Sequence, residues 1–409
     1  MTVMVRGGWP EAYGRVAERL AGQAGAARLI FTGTSACVDA VFRIDRDRLA
    51  ALLACAGAGR FRGGRGAELA GRALDRITRG RGGELVTRWP GGPAWVCGLL
   101  GPPDRRQVGG TGPQASWALA AVGARSVLAL ADRSAGQLAV IDPRAGLCAD
   151  GAVVPAGRVV PGGEPTKLPH CILEFTADGA TVPRSSRVIL RFGDEPVERD
   201  QEYLAVTTGL AATAGAGLVS GLNGPSDTDD SERGWLCALV RAWSESGLAV
   251  IHHELAEFGS PGRLRDAAGL GPVSSVGMSL SELYTLAGPG DPVRMARDAA
   301  VLYGAGRVIV HADDWALAVH RDDPRRQADV LLAGNALAAA RARAGAPTSD
   351  LDPVAAEAVY TDDLPPGGPL GEGWRATSVP APHLSRPAGT VGLGDTFAAG
   401  ILLAESLPP

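Results

Sequence analysis

Apolar positions along the chain fall into two recurring patterns. Over residues 11–22, Val16, Leu20 and several alanines share one helical face while charges occupy the other, which predicts an amphipathic helix. Ala27-Arg-Leu-Ile-Phe31 is then apolar up to Gly33 and predicts a buried strand. Short apolar runs at 126–131, 137–141, 171–176, 187–192, 203–208, 216–220, 247–252, 273–277 and 307–311 predict further strands. Stretches such as 115–122, 231–245 and 326–343 have helical spacing and lie between them. Strands that are apolar on both faces and separated by helices predict an α/β body, a mostly parallel Rossmann-type sheet flanked by helices. Residues 43–107 are rich in Arg, Gly and Ala with weak periodicity, which predicts a partly separate subdomain. Residues 221–233 and 364–373 read as surface loops, and no internal repeat is visible.

Composition narrows the classes of function. The net charge of −4 gives no electrostatic reason to expect nucleic acid or an anionic membrane as partner. Lys167 is the only lysine, so the Gly-Lys-Ser/Thr of a phosphate-binding P-loop is absent. The six cysteines form no CxxC pair and no His/Cys cluster at metal spacing. They read as reduced thiols of a cytoplasmic protein. Arg6, Glu11 and Arg15 precede any apolar run, unlike a signal peptide, and the apolar stretch 117–131 is interrupted by Arg125 and too short to span a bilayer. The expectation is a soluble protein acting on small molecules.

The strongest chemical signal lies near the C-terminus, in Arg386-Pro-Ala-Gly-Thr-Val-Gly-Leu-Gly-Asp-Thr-Phe-Ala-Ala-Gly400. Gly392 and Gly394 allow tight turning just before a small-residue helix that starts near Asp395. Such a turn aims free backbone N–H groups and the positive end of a helix dipole at one point. An anion there is stabilised, and the adjacent carboxylate can take a proton from an attacking hydroxyl. Phosphoryl transfer needs both.

With these residues in view, the chain resembles the ADP-dependent sugar kinases, the glucokinase/phosphofructokinase branch of the ribokinase-like superfamily. Thr390-Val-Gly-Leu-Gly-Asp-Thr is similar to that family's catalytic motif. In the same order along the chain, Phe31-Thr-Gly-Thr-Ser-Ala-Cys-Val-Asp-Ala40 resembles its first strand and sugar-gripping segment. Gly109-Gly-Thr-Gly112 resembles the glycine-rich loop under the sugar, and Lys167-Leu-Pro-His-Cys-Ile-Leu-Glu-Phe175 its His-x-Ile-x-Glu-Phe strand. Pro183-Arg-Ser-Ser-Arg-Val-Ile, His252-His-Glu-Leu-Ala256, Val276-Gly-Met-Ser-Leu-Ser-Glu-Leu283 and Arg307-Val-Ile-Val-His-Ala resemble later blocks.

The resemblance implies a ribokinase-like body (1–39, 108–134 and 191–409) and a smaller β-rich lid (40–107 and 135–190). It implies a kinase that moves the terminal phosphoryl group of a nucleotide, ADP by preference, to a hydroxyl of a sugar or sugar-like acceptor, with Asp395 as general base. Arg187, Gly392 and Gly394 would stabilise the transferred group, and Arg187 with Thr390, Val391, Gly392, Leu393 and Gly394 would hold the nucleotide. Asp39, Cys37, Glu84, Gly109, Gly110, Gly112 and His170 would line the acceptor pocket, and Glu254 and Glu282 would organise Mg²⁺, the expected divalent ion. Where the family carries two asparagines, this chain has Ser35 and Cys37, and the Mg-associated block reads Ser279-Leu-Ser-Glu282 with one carboxylate fewer. An intact base beside an altered grip predicts an unusual acceptor. An ATP-dependent kinase of a nucleoside or aminosugar, and a catalytically silent sugar-binding protein, are the alternatives.

Overall fold

The computed structural model describes residues 8–62, 64–193, 195–223, 230–256, 261–352 and 358–408. Seven parallel strands form the middle of its larger sheet: β6 (Gly146–Ala149), β5 (Ser126–Leu128), β1 (Ile30–Thr32), β10 (Ala216–Val219), β11 (Ile251–Glu254), β12 (Ser275–Ser279) and β13 (Arg307–His311). Every residue of β1, β5, β10 and β11 is buried, as strands covered on both faces require. Antiparallel β14 (Trp315–His320), β16 (Trp374–Pro380) and β15 (Gly368–Gly371) extend one side and β7 (Ala152–Pro155) the other.

Alternation along β1 shows how the layers are built. Ile30 packs with Leu20, Leu119, Leu337 and Leu402 of α1 (Gly8–Gln23), α5 (Thr111–Ala121), α12 (Pro324–Ala344) and α13 (Leu393–Ser406). Phe31 points the other way, into a core with Tyr203, Trp243, Leu264, Leu283 and Ala299. Those side chains come from α7 (Gln201–Leu210), α8 (Asp230–Glu245), α9 (Pro261–Asp266), α10 (Leu280–Ala287) and α11 (Pro292–Tyr303). A second sheet of five strands runs β3 (Gly83–Val86), β9 (Ser186–Arg191), β8 (His170–Phe175), β2 (Cys37–Arg43), β4 (Arg105–Gly109). Helices α2 (Arg46–Arg62), α3 (Arg65–Thr78) and α4 (Gly92–Leu100) cover it around Phe42, Leu69, Ile77, Leu173 and Phe192.

The helices at 11–22, 231–245 and 326–343 and the strands at 171–176, 187–192, 216–220 and 307–311 form close to where the pattern placed them. Several readings fail. Residues 203–208 are helical: Asp200 caps the N-terminus by accepting a bond from the Tyr203 N–H, and Tyr203 and Thr207 turn one apolar stripe inward. Residues 137–141 hold the end of α6 (Ala135–Leu138) and a turn rather than a strand. The loop assigned to 364–373 contains the edge strand β15, and of the loop assigned to 221–233 the part from Asp230 begins α8, while 224–229 lie outside the described residues. The segment around 146–155 joins the larger sheet, where the sequence reading had put it with the smaller unit. Gly146 permits this, since a Cβ there would stand 2.6 Å from the Ser126 carbonyl of β5. The smaller unit carries three helices beside its five strands.

Candidate active site

Two helix N-termini meet at Asp395. Gly392 adopts a left-handed conformation (φ 73°) and α13 begins at Leu393, with Asp395 in its first turn. Gly110, also at positive φ (90°), leads into α5. A Cβ on Gly112 would lie 2.8 Å from the Gly33 backbone, so only glycine lets α5 start this close to the end of β1. The Thr111 side chain lies close enough to the Asp395 carboxyl to lower its pKa, so the two helix starts meet here. Burial pushes the Asp395 pKa above the usual carboxylate value, while Arg341, Thr111 and Arg187 each pull it down.

Arg341 of α12 holds this corner together. Its guanidinium donates to Thr396 Oγ1 (2.8 Å) and to Gln114 Oε1 (2.7 Å), and it lies 5.4 Å from the centre of the Trp117 ring. One arginine thereby links α12, α13 and α5. A Cβ on Gly392 would approach that guanidinium to 2.6 Å, which is a second reason for glycine there. Burial lowers the Arg341 pKa to about 10, with Asp395 and Asp39 both acting to keep it charged. Arg341 is thus in electrostatic reach of both carboxylates.

Arg187 comes from the smaller sheet, opposite Glu174 in the β8–β9 register. Glu174 accepts a 2.7 Å hydrogen bond from the Thr390 N–H and pairs with Arg105 at 3.1 Å. The loop before α13 is therefore fastened to the smaller sheet, with Val391 packed against Val41 and Ile172. On the other flank, Glu254 ends β11 with both oxygens engaged, by His252 Nε2 (2.8 Å) and His311 Nε2 (3.3 Å). Burial works against its charge, yet the two imidazoles hold its pKa down at about 2. His311 also touches the turn before α13, since a Cβ on Gly394 would lie 3.2 Å from its ring. Glu282 is the N3 residue of a capping box with Ser279, and burial raises its pKa to about 7.

Cys37, Asp39 and His170 form a second cluster. Cys37 and Asp39 alternate onto one face of β2, and His170 stands beside Asp39 on β8. The Cys37 thiol lies 3.4 Å from His170 Nδ1 and 3.6 Å from Asp39 Oδ1. Burial pushes the thiol to about 12. His170 Nε2 bonds Glu195; burial opposes charge on the ring, but Cys37, Glu195 and Asp39 hold its pKa well above the ordinary value. Glu195 stays ionised with a pKa of about 2, because His170 and Arg191 outweigh the effect of burial. Arg191 in turn is clamped by Glu195 (2.9 Å) and Glu84 (2.6 Å). Lys167 is buried in an ion pair with Glu198 and donates to the Ala36 carbonyl.

Among the residues read from the sequence, Asp395, Arg187, Gly392 and Gly394 thus lie around one corner with Glu254. Cys37, Asp39, His170 and Gly109 lie around another, and Glu84 reaches it through Arg191. The sequence reading missed Arg341, Thr111, Glu195, Arg191 and His311 as site residues. Arg341 sits in Ala338-Ala-Ala-Arg-Ala-Arg-Ala344, where an arginine looks like part of a solvated face. Glu195, four residues after Arg191, gave the one spacing that could have flagged a pair.

The fold is similar to that of solved ADP-dependent kinases and phosphofructokinases. The structure of an ADP-dependent kinase in complex with fructose-6-phosphate and ADPβS matches with a TM-score of 0.76 at 17% identity, over 98% of this chain and 98% of that one. A hypothetical ADP-dependent phosphofructokinase from Pyrococcus horikoshii OT3 matches at 0.71 and 17%, over 93% and 98%. The last common ancestor of ADP-dependent phosphofructokinases from Methanosarcinales matches at 0.69 and 16%, over 98% and 99%. No protein-family model and no curated protein matches the sequence. No helix among the described residues is long and apolar enough to cross a membrane.

Proposed function

We propose that the protein is a kinase that transfers the terminal phosphoryl group of ADP to a hydroxyl of an unphosphorylated sugar or sugar-like acceptor. The observation that carries this reading is Asp395 held between two helix N-termini with Arg187 in electrostatic reach. Amides at a helix start and an arginine stabilise the charge on a phosphoryl group in flight, and the carboxylate receives the acceptor's proton. Mg²⁺ would be held by Glu254 and Glu282 through its own water. Each of these carboxylates is already hydrogen-bonded by protein, and the ion retains much of its hydration. When bound it neutralises charge on the phosphates.

The pairing of cations around the acceptor supports an acceptor without phosphate. A phosphorylated one needs an available Lys or Arg. Here Lys167 is taken by Glu198, and Arg191 is shared between Glu84 and Glu195. The test is turnover of ADP and of ATP, side by side, with matched sugars carrying and lacking their phosphate, and with nucleosides. Turnover of ADP with the unphosphorylated sugars is expected. Preference for ATP would favour the nucleoside or aminosugar kinase instead. Faster reaction of the phosphorylated sugars, abolished in Lys167→Ala, would overturn the acceptor assignment, and no turnover of either nucleotide would leave a binding protein.

A further inference from the structure

Cys37, Asp39 and His170 carry a thiol sulfur, a carboxylate oxygen and an imidazole nitrogen to a single point. Sγ and Nδ1 are 3.4 Å apart, Sγ and Oδ1 3.6 Å, and Nδ1 and Oδ1 3.5 Å. A tetrahedral zinc ion with Zn–S of about 2.3 Å and Zn–N or Zn–O of about 2.0–2.1 Å spaces its ligand atoms about 3.3–3.6 Å from one another. The three edges of this triangle fit that spacing. Among the described residues it is the one group of three His, Cys, Asp or Glu side chains with ligand atoms this close.

The surroundings fit a metal as well as the distances do. Exposure is 3% for Cys37, 4% for Asp39 and 9% for His170, so the donors are set in a rigid interior. The strand register creates the set: two residues two apart on β2 and one beside them on β8. Gly109 pairs with Cys37 from β4, and a Cβ there would stand 2.1 Å from Asp39 Oδ1 and 2.5 Å from Cys37 Sγ. Only glycine leaves the trio its room. The far nitrogen of His170 bonds Glu195, which Arg191 holds in place. A carboxylate on the second nitrogen is the usual arrangement for a metal-bound histidine, because it fixes the tautomer and raises the basicity of the ligand.

We propose that Cys37, Asp39 and His170 are a Zn²⁺ site with three protein ligands, whose fourth position takes water or an oxygen of the acceptor. A thiolate with an imidazole suits zinc, whereas Mg²⁺ takes oxygen donors. Three protein ligands and one exchangeable position is the pattern of zinc sites that handle a substrate. The ion binds as the Cys37 thiol and His170 Nδ1 each give up a proton to water. The site itself stands on the ligand geometry; assigning its fourth position to an acceptor oxygen rests on the kinase reading. On that reading the ion grips the acceptor in place of direct bonds from Asp39 and His170.

The test uses the full chain, stripped with chelator and reloaded with one equivalent of Zn²⁺ or Co²⁺. X-ray absorption of the zinc form should give one sulfur at about 2.3 Å and three light atoms at about 2.0–2.1 Å. The cobalt form should show a thiolate charge-transfer band and strong tetrahedral d–d bands. Cys37→Ser should abolish the charge-transfer band, and Glu195→Gln should weaken affinity about 10–100-fold while keeping the band. Adding the unphosphorylated sugar that turns over should shift the d–d bands. A zinc spectrum with light atoms alone, no bound ion, or a band that survives in Cys37→Ser would overturn the site. The zinc spectrum needs only the parent protein, so misfolding of a variant does not blunt the test. It reads out whether or not the protein phosphorylates anything, so failure of the site and failure of the kinase reading are separate results. Cobalt bands that are present but indifferent to sugar would overturn the acceptor role alone.

Discussion

Single residues decide what this corner can do. The motif around Asp395 was legible because glycine at 392 and 394 has few other uses before a helix, and because the carboxylate follows at once. Arg341 was illegible for the opposite reason, since its alanine neighbours give no hint that its face of α12 is buried against α13. Its charge lowers the Asp395 pKa, so removing it should raise that pKa. On the proposed mechanism Asp395 works as a base only when ionised, above its pKa. In Arg341→Met the acid limb of the kcat profile should therefore move to higher pH, which a rate-versus-pH series would measure. An unmoved limb with reduced activity would mean that Arg341 serves only to pack. The same variant leaves Thr396 and Gln114 short of a partner, and a stability loss of roughly 1–3 kcal/mol is expected in urea titrations.

Elements were read well where the period was long and poorly where it was short. Helices α8 and α12 span several turns, enough for the apolar stripe to declare itself. Residues 203–208 cover less than two turns, and a short run rich in Val, Leu and Thr reads equally as strand until Asp200 is recognised as a cap. What the pattern could not reveal is how close α12 and α13 come. A Cβ at Gly400 would lie 2.5 Å from the Ala333 carbonyl and 2.7 Å from Gly334 Cα, so the two helices pack backbone to backbone there. Gly400→Ala should force them apart at an overpacking cost of about 1–3 kcal/mol, seen as a lower urea midpoint. Because α13 carries Asp395, activity should fall with it. An unchanged midpoint would contradict this packing.

At the scale of the molecule, the larger sheet was legible as parallel and covered, while its antiparallel margin of β14, β15 and β16 was not. The edge strand β15 is short and begins at a glycine in a Pro/Gly-rich stretch, so no periodicity marks it. The cluster around Cys37, Asp39 and His170 was legible as separate residues but not as a network, because Glu84 reaches Arg191 only through strand register, and the Arg191–Glu195 pair, four residues apart, went unread. A second buried network ties the body together: Glu405 of α13 pairs with Arg307 of β13 and Arg326 of α12, and Arg307 also bonds Gln327 and Ser275. Burial would raise the Glu405 pKa, but the two arginines outweigh it and hold it below the usual 4.5. Its contribution is therefore present above the unfolded pKa and is lost as pH falls through the lower, folded value. Glu405→Gln should cost roughly 3–5 kcal/mol at pH 7, by leaving Arg307 buried without its charge partner, and the gap to the parent should narrow on acidification. A gap independent of pH would contradict that assignment. The central claim is that Asp395 is the base of a phosphoryl transfer, and Asp395→Asn tests it most directly. This substitution keeps shape and removes the proton acceptor, so kcat with ADP and the sugar that turns over should fall by about 10²–10⁴ while ADP binding, measured by calorimetry, is retained. Turnover within a few-fold of the parent would contradict the account.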